Sequence, residues 1–242
     1  MAMMITALYI ILITFSTIVS MWGSKDVCQT LYSSILSFAN FYSARDILGF
    51  VVDSLALIWA TMQLEHVVSS IVLLFLPLLN YLVVQSVYMC VLLLETSIKN
   101  VDNVYMLWFI GTLQGGEQAL VISTLTAVFV LFPRMSREKL VVIENGIKKM
   151  PFSTVHIAAI WSINYVAKLL IGLYMYGMKL ESIVAWIMGL LWNPYYLLAP
   201  LYVLICVFVG LLIASLQCKN IDEKRRIIRY QYMRFKWSGR LD

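Results

Sequence analysis

Three ionisable side chains interrupt otherwise apolar runs of the sequence: Asp53, Glu117 and Lys168. A charge at the centre of a membrane-spanning helix costs about 2.5–3.5 kcal/mol even on mild scales, so such residues are expected to face a partner or a polar pathway. Counted from the cytoplasmic end of each helix at about 1.5 Å per residue, Glu117 and Lys168 stand at roughly 24 and 21 Å, and Asp53 at roughly 16 Å, within reach of a flexible lysine stem. Two chemistries fit the trio. One is an ion or proton pathway, or a substrate site in which Gln114, Gly115, Gly116, Glu117 and Gln118 combine a broken helix with a carboxylate. The other is a structural salt bridge that fixes helix packing, with Lys168 otherwise snorkelling. The packing role is the expected one, because a transporter normally carries several such groups and repeated halves, and neither is visible here.

Other polar residues offer less. Pro77 and Asn80, near the middle of the run 67–94, fit a kink supported by a neighbouring helix better than a binding spot. Glu65 and His66 could meet His156 at helix ends, but two histidines without a third ligand make a poor metal site. The four cysteines, Cys28, Cys90, Cys206 and Cys218, show no CxxC spacing; Cys218 beside Lys219 is placed where S-palmitoylation is possible. Nucleophile elbows, Walker loops, HExxH and paired-Asp motifs are missing. The expectation is therefore no enzyme, no catalytic residue, no metal and no cofactor.

The stretch Trp192-Asn193-Pro194-Tyr195-Tyr196-Leu197 resembles, in its Asn-Pro pair, the NPxxY element of rhodopsin-like receptors. The likeness implies a divergent seven-helix receptor, yet the fifth position is Leu197 rather than Tyr. Seven spans with an outside N-terminus would also put a basic loop on the outer face.

The elements that must carry these residues follow from composition. Hydrophobic residues make up 62% of the 242 and charged residues 13%, against about 45–50% and about 25% in soluble domains. Apolar runs of spanning length fall at 3–22, 47–64, 67–94, 117–133, 154–177 and 197–217, which predicts an all-α, polytopic transmembrane bundle of about six spans in one domain, 1–217. The first run lacks a basic n-region and an A-x-A site, so it is expected to remain as a helix rather than a signal peptide. Shorter pieces at 104–113 and 182–193 adjoin Gly115-Gly116 and Asn193-Pro194 and read as interfacial or re-entrant helices. Small residues, among them Gly172, Gly177, Gly189 and Gly210, permit close helix contacts.

Lysine and arginine then set sidedness. The loop 134–150 and the tail 218–242 hold 13 of the 18 basic residues, so both are expected on the cytoplasmic side, and counting spans backwards places the N-terminus there too. Three stretches look amphipathic: 24–46 through Leu31, Ile35, Phe38 and Tyr42; a loop helix near 137–149 through Leu140, Val141, Ile143 and Ile147; and the tail. In the tail, Lys224, Arg225, Arg226, Arg229, Arg234 and Lys236 alternate with aromatic residues, the pattern of a helix on an anionic leaflet.

The expected function is a non-enzymatic integral subunit that anchors, scaffolds or regulates a larger membrane complex, such as one handling lipids. Its partners would be membrane lipids and a larger membrane protein, with no nucleic acid, in the endoplasmic reticulum or plasma membrane. A small transporter or channel subunit using Asp53, Glu117 and Lys168 is the alternative.

Overall fold

The computed structural model of the chain describes residues 4–22, 42, 47–97, 116–133, 135–143, 146–175, 198–216, 230, 232–234 and 237. Six helices lie among them: α1 (Met4–Trp22), α2 (Ile47–Leu64), α3 (Ser70–Ser97), α4 (Gly116–Leu131), α5 (Thr154–Met175) and α6 (Leu198–Leu216). They coincide with the six apolar runs to within a few residues, because an apolar segment of this length closes its backbone hydrogen bonds locally and leaves only side chains to pack. Helix α2 and the stretch Ser70–Val87 of α3 are long and apolar enough to cross a membrane.

Helix α4 is the centre of the bundle. It packs against α2, α3, α5 and α6, and among the described residues its pairing with α6 is the most extensive. Nearly every residue from Gly116 to Leu131 is buried, which fits a helix without a polar stripe. The close approach to α6 depends on Gly210: a Cβ there would stand 2.5 Å from the Ser123 carbonyl oxygen and 2.8 Å from Thr126 Cβ. The small residue noted in the sequence thus finds its partner surface on α4.

Helix α3 contains Pro77, which has no amide hydrogen to give the carbonyl of Leu73 one turn back. The hydroxyl of Tyr9, from α1, donates to that carbonyl instead. Tyr42 is fully buried, and its hydroxyl donates to the Pro77 carbonyl at 2.6 Å. Of the amphipathic stretch 24–46, only Tyr42 lies within the described residues; the pieces 104–113 and 182–193 lie outside them.

The loop after α4 corrects one expectation. Residues near 137–149 do not form an amphipathic helix; they form a β-hairpin, β1 (Leu140–Ile143) and β2 (Gly146–Lys149), paired antiparallel from Leu140↔Lys149 to Ile143↔Gly146. The Met150 amide extends the ladder by donating to the Lys139 carbonyl at 2.7 Å. The β-branched run Val141-Val142-Ile143, with the poor helix former Gly146 three residues on, favours paired strands over a helix. The apolar spacing alone is compatible with either, and it misled the helical reading. Leu140 is buried, and β1 packs beside α2.

Beyond the hairpin, Ser153 caps α5: its side-chain oxygen accepts the His156 amide at 3.3 Å, and its carbonyl accepts the Ile157 amide at 3.2 Å. The Val155 amide donates to the Ser136 carbonyl at 3.1 Å, tying the start of α5 to the end of the α4 turn.

Candidate functional site

The buried polar side chains fall into two groups, one along the helix contacts and one at the end of the bundle where α1 begins. Asp53, on α2, is buried and accepts a hydrogen bond from Trp161 Nε1, on α5, at 2.6 Å. Trp161 stacks on Tyr165, one turn along α5, with ring centroids 5.4 Å apart. An indole N–H can only donate, so a carboxylate is a matched acceptor for it in apolar surroundings. Glu117 is also buried and stands in the first turn of α4, where a carboxylate is favoured by the exposed amides and the positive end of the helix dipole. Lys168 lies on α5, but its side chain is outside the described residues, as is Gln114. The sequence set Glu117 and Lys168 at a similar depth with Asp53 within reach of the lysine; among the described residues the indole of Trp161 is a partner of Asp53 that the sequence did not suggest.

Asn80, on α3, donates to Ser123 Oγ, on α4, at 3.0 Å. Ser123 in turn donates back to the Ala119 carbonyl at 2.8 Å. Pro77 and Asn80 therefore both sit in helix contacts, and three partners meet α3 between Leu73 and Asn80: α1 through Tyr9, then Tyr42, and α4 through Ser123.

At the bundle end, the Thr6 amide donates to Glu65 Oε1 at 2.9 Å, and the hydroxyls of Thr6 and Thr61 are 2.6 Å apart. Glu65 thereby satisfies an amide that the first turn of α1 leaves open, with the charge sign the dipole favours. Beside it, Trp59 Nε1 and Gln63 Nε2, both on α2, donate to Thr154 Oγ1 at 3.2 Å each, holding α2 to the first residue of α5. His156 Nδ1 lies 2.5 Å from Ser153 Oγ. The three polar residues considered together in the sequence, Glu65, His66 and His156, do not form a common site: Glu65 serves α1 and His156 serves its own cap. Among the described residues no group of three His, Cys, Asp or Glu side chains converges as metal ligands would.

The tail reaches this same end. Tyr232 is buried, and its hydroxyl donates to Glu138 Oε1, just before β1, at 2.7 Å. Arg234 is exposed, as are Arg137, Lys139, Lys148 and Lys149 of the hairpin region. Lys224, Arg225, Arg226, Arg229 and Lys236, together with Cys218, lie outside the described residues.

Sequence reasoning missed Trp161, Tyr9, Thr154 and the Tyr232–Glu138 pair. A signal was available only for the acceptor of Tyr9, since a proline inside a helix leaves the carbonyl four residues earlier without its helical donor. Comparison with known proteins yields no counterpart: no protein family, no curated protein and no solved structure matches the chain.

Proposed function

We propose that this is a multi-pass integral membrane protein without catalytic chemistry, a subunit that anchors, scaffolds or regulates a larger membrane complex. One contrast carries the reading. Buried polar side chains, Asp53 and Asn80 among them, are engaged from helix to helix, while the outward faces are apolar. Ile11, Phe15 and Ile18 are exposed along α1, Phe75, Leu78 and Leu82 along α3, and Leu204, Phe208 and Leu211 along α6. A water-soluble protein seldom exposes contiguous apolar patches beyond a few hundred Å². At about 1.5 Å per residue, helices of this length suit a hydrocarbon layer of about 30 Å, with the shorter α4 shielded at the centre. The basic hairpin region and tail share one end with the start of α1, and the positive-inside rule assigns that end to the cytoplasm.

The test has two stages. The protein should remain in the membrane pellet after alkaline carbonate extraction, with the hairpin and both termini labelled only once the cytoplasmic face is opened. Mild-detergent purification should then yield a larger membrane protein in fixed stoichiometry, whose assembly is lost when this chain is deleted. Release by carbonate removes the membrane reading, and a lone protein or homo-oligomer removes the subunit reading.

A transporter or channel subunit is the second reading, supported by the two buried carboxylates Asp53 and Glu117. Charge-neutralising substitutions at both would then abolish ion or substrate flux in reconstituted vesicles while leaving the amount of folded protein unchanged.

A further inference from the structure

We infer that the tail is clasped to the hairpin so as to present an aromatic-basic face to the anionic leaflet of the bilayer that the helices span. This inference rests on the membrane-spanning reading above. Residues 230, 232–234 and 237 are helical, and at 3.6 residues per turn Tyr230, Met233, Arg234 and Trp237 share one face. Their exposure follows that face: Trp237 is 84% exposed, Tyr230 69% and Met233 47%, whereas Tyr232 is 9% exposed. Tyr232 is the side chain whose hydroxyl donates to Glu138 at 2.7 Å. The clasp thus fixes which side of the tail turns outward.

Two observations choose the occupant. The first is position: Glu138 follows shortly after the end of α4, and Leu140 beside it is buried against the bundle, so the clasp holds the tail where the helices end, at the depth of the lipid headgroups. The second is charge. Arg234 on the tail and Arg137, Lys139 and Lys148 at the hairpin are exposed, and the chain carries a formal net charge of +5. Tryptophan and tyrosine are favoured at the headgroup level, where the ring is half immersed and its polar edge stays wet, and nearby cations are drawn to an anionic surface. Glu138, otherwise a repelled carboxylate, is turned to the Tyr232 hydroxyl as its hydrogen-bond acceptor.

Full-length protein in lipid nanodiscs tests the docking. In a background carrying C28A, C90A, C206A and C218A, W237C is labelled with an environment-sensitive fluorophore. It is compared in phosphatidylcholine alone and with added phosphatidylserine, using brominated lipids as quenchers. The label is expected to be shielded from water and quenched by brominated lipid only when phosphatidylserine is present. R234Q should lower the docked-to-undocked ratio about fivefold, as expected for one cation near an anionic surface. Tyr232→Phe should weaken docking while R234Q and Tyr232→Phe both leave folding intact. A label equally water-exposed in both lipids overturns the proposal, as does equal quenching in both, which would mean apolar insertion without charge recognition. Protection only after a partner protein is added overturns it in favour of a protein interface.

Ile163→Cys, on the exposed face of α5, serves as the control. If it is quenched by brominated lipid and position 237 is not, the docking fails and the spanning reading stands; if neither is quenched, the spanning reading itself fails. Should the cysteine-free background not fold, unmodified protein suffices: trypsin cleavage after Arg234 should slow in phosphatidylserine nanodiscs, and an unchanged rate overturns the inference.

Discussion

The hydroxyl of Tyr9 donates to the carbonyl of Leu73, the acceptor that Pro77 leaves without its helical donor. A break in the backbone of one helix is thereby repaired by a side chain from another, and α1 is fastened to α3 at the point where α3 is weakest. Tyr9→Phe should destabilise the protein by about 1 kcal/mol, since the carbonyl then has no strong donor in an apolar site. In a Pro77→Ala background the restored amide supplies Leu73, so the same Tyr9→Phe change should cost much less. Thermal unfolding in detergent, read as a double-mutant cycle, checks this; equal costs in both backgrounds would refute the repair.

Asp53 and Trp161 make the second prediction. Trp161→Phe keeps most of the apolar bulk but removes the only hydrogen that the indole offers the carboxylate. The expected loss is about 1.5–3 kcal/mol, the range for hydrogen bonds to charged groups. Asp53→Asn retains an oxygen acceptor and should be milder than Trp161→Phe. Chemical unfolding in mixed micelles ranks the two, and the reverse order would show that the charge of Asp53 matters more than its bond to the indole.

Gly210 marks a close approach between α4 and α6. An added methyl would meet the Ser123 carbonyl oxygen at 2.5 Å, and a backbone atom within a helix cannot swing aside. Gly210→Ala should therefore cost about 1–3 kcal/mol through separation of the helices, more than its gain in helix propensity returns. A melting temperature unchanged or raised by the substitution would contradict the close crossing.

Ser153 and Thr154 begin α5. Ser153→Ala removes the acceptor of the His156 amide, and an N-cap loss of this kind costs about 1 kcal/mol. Thr154→Val keeps the shape but removes the oxygen shared by Trp59 and Gln63, leaving a half-buried and a buried donor from α2 without it. That variant is expected to be the more damaging of the two. Amide hydrogen exchange at the start of α5 should speed up in both, and in α2 near Gln63 only for Thr154→Val.

Taken residue by residue, the six helices were legible because each is a continuous apolar run of at least 16 residues, longer than strands usually are. Pro77 announced a vacant carbonyl, and Gly210 a place where another helix could come close. Neither announced the neighbour. The apolar spacing at 140–149 fits a helix because Leu140, Ile143 and Ile147 satisfy a helical step, while the β-branched residues Val141, Val142 and Ile143 and the nearby Gly146 carry the opposite signal.

What the sequence determined by itself is local: which segments are helical, which positions are apolar, and that Asp53 and Glu117 must be buried if those segments pack. What only the tertiary structure decided is pairing. Asp53 meets Trp161 across 108 positions of chain, Tyr9 meets Leu73 across 64, and Tyr232 meets Glu138 across 94. The physical reason is that helix formation depends on hydrogen bonds four residues apart, whereas the choice of neighbour depends on side-chain shape and donor–acceptor matching between segments, which no periodicity within one segment encodes.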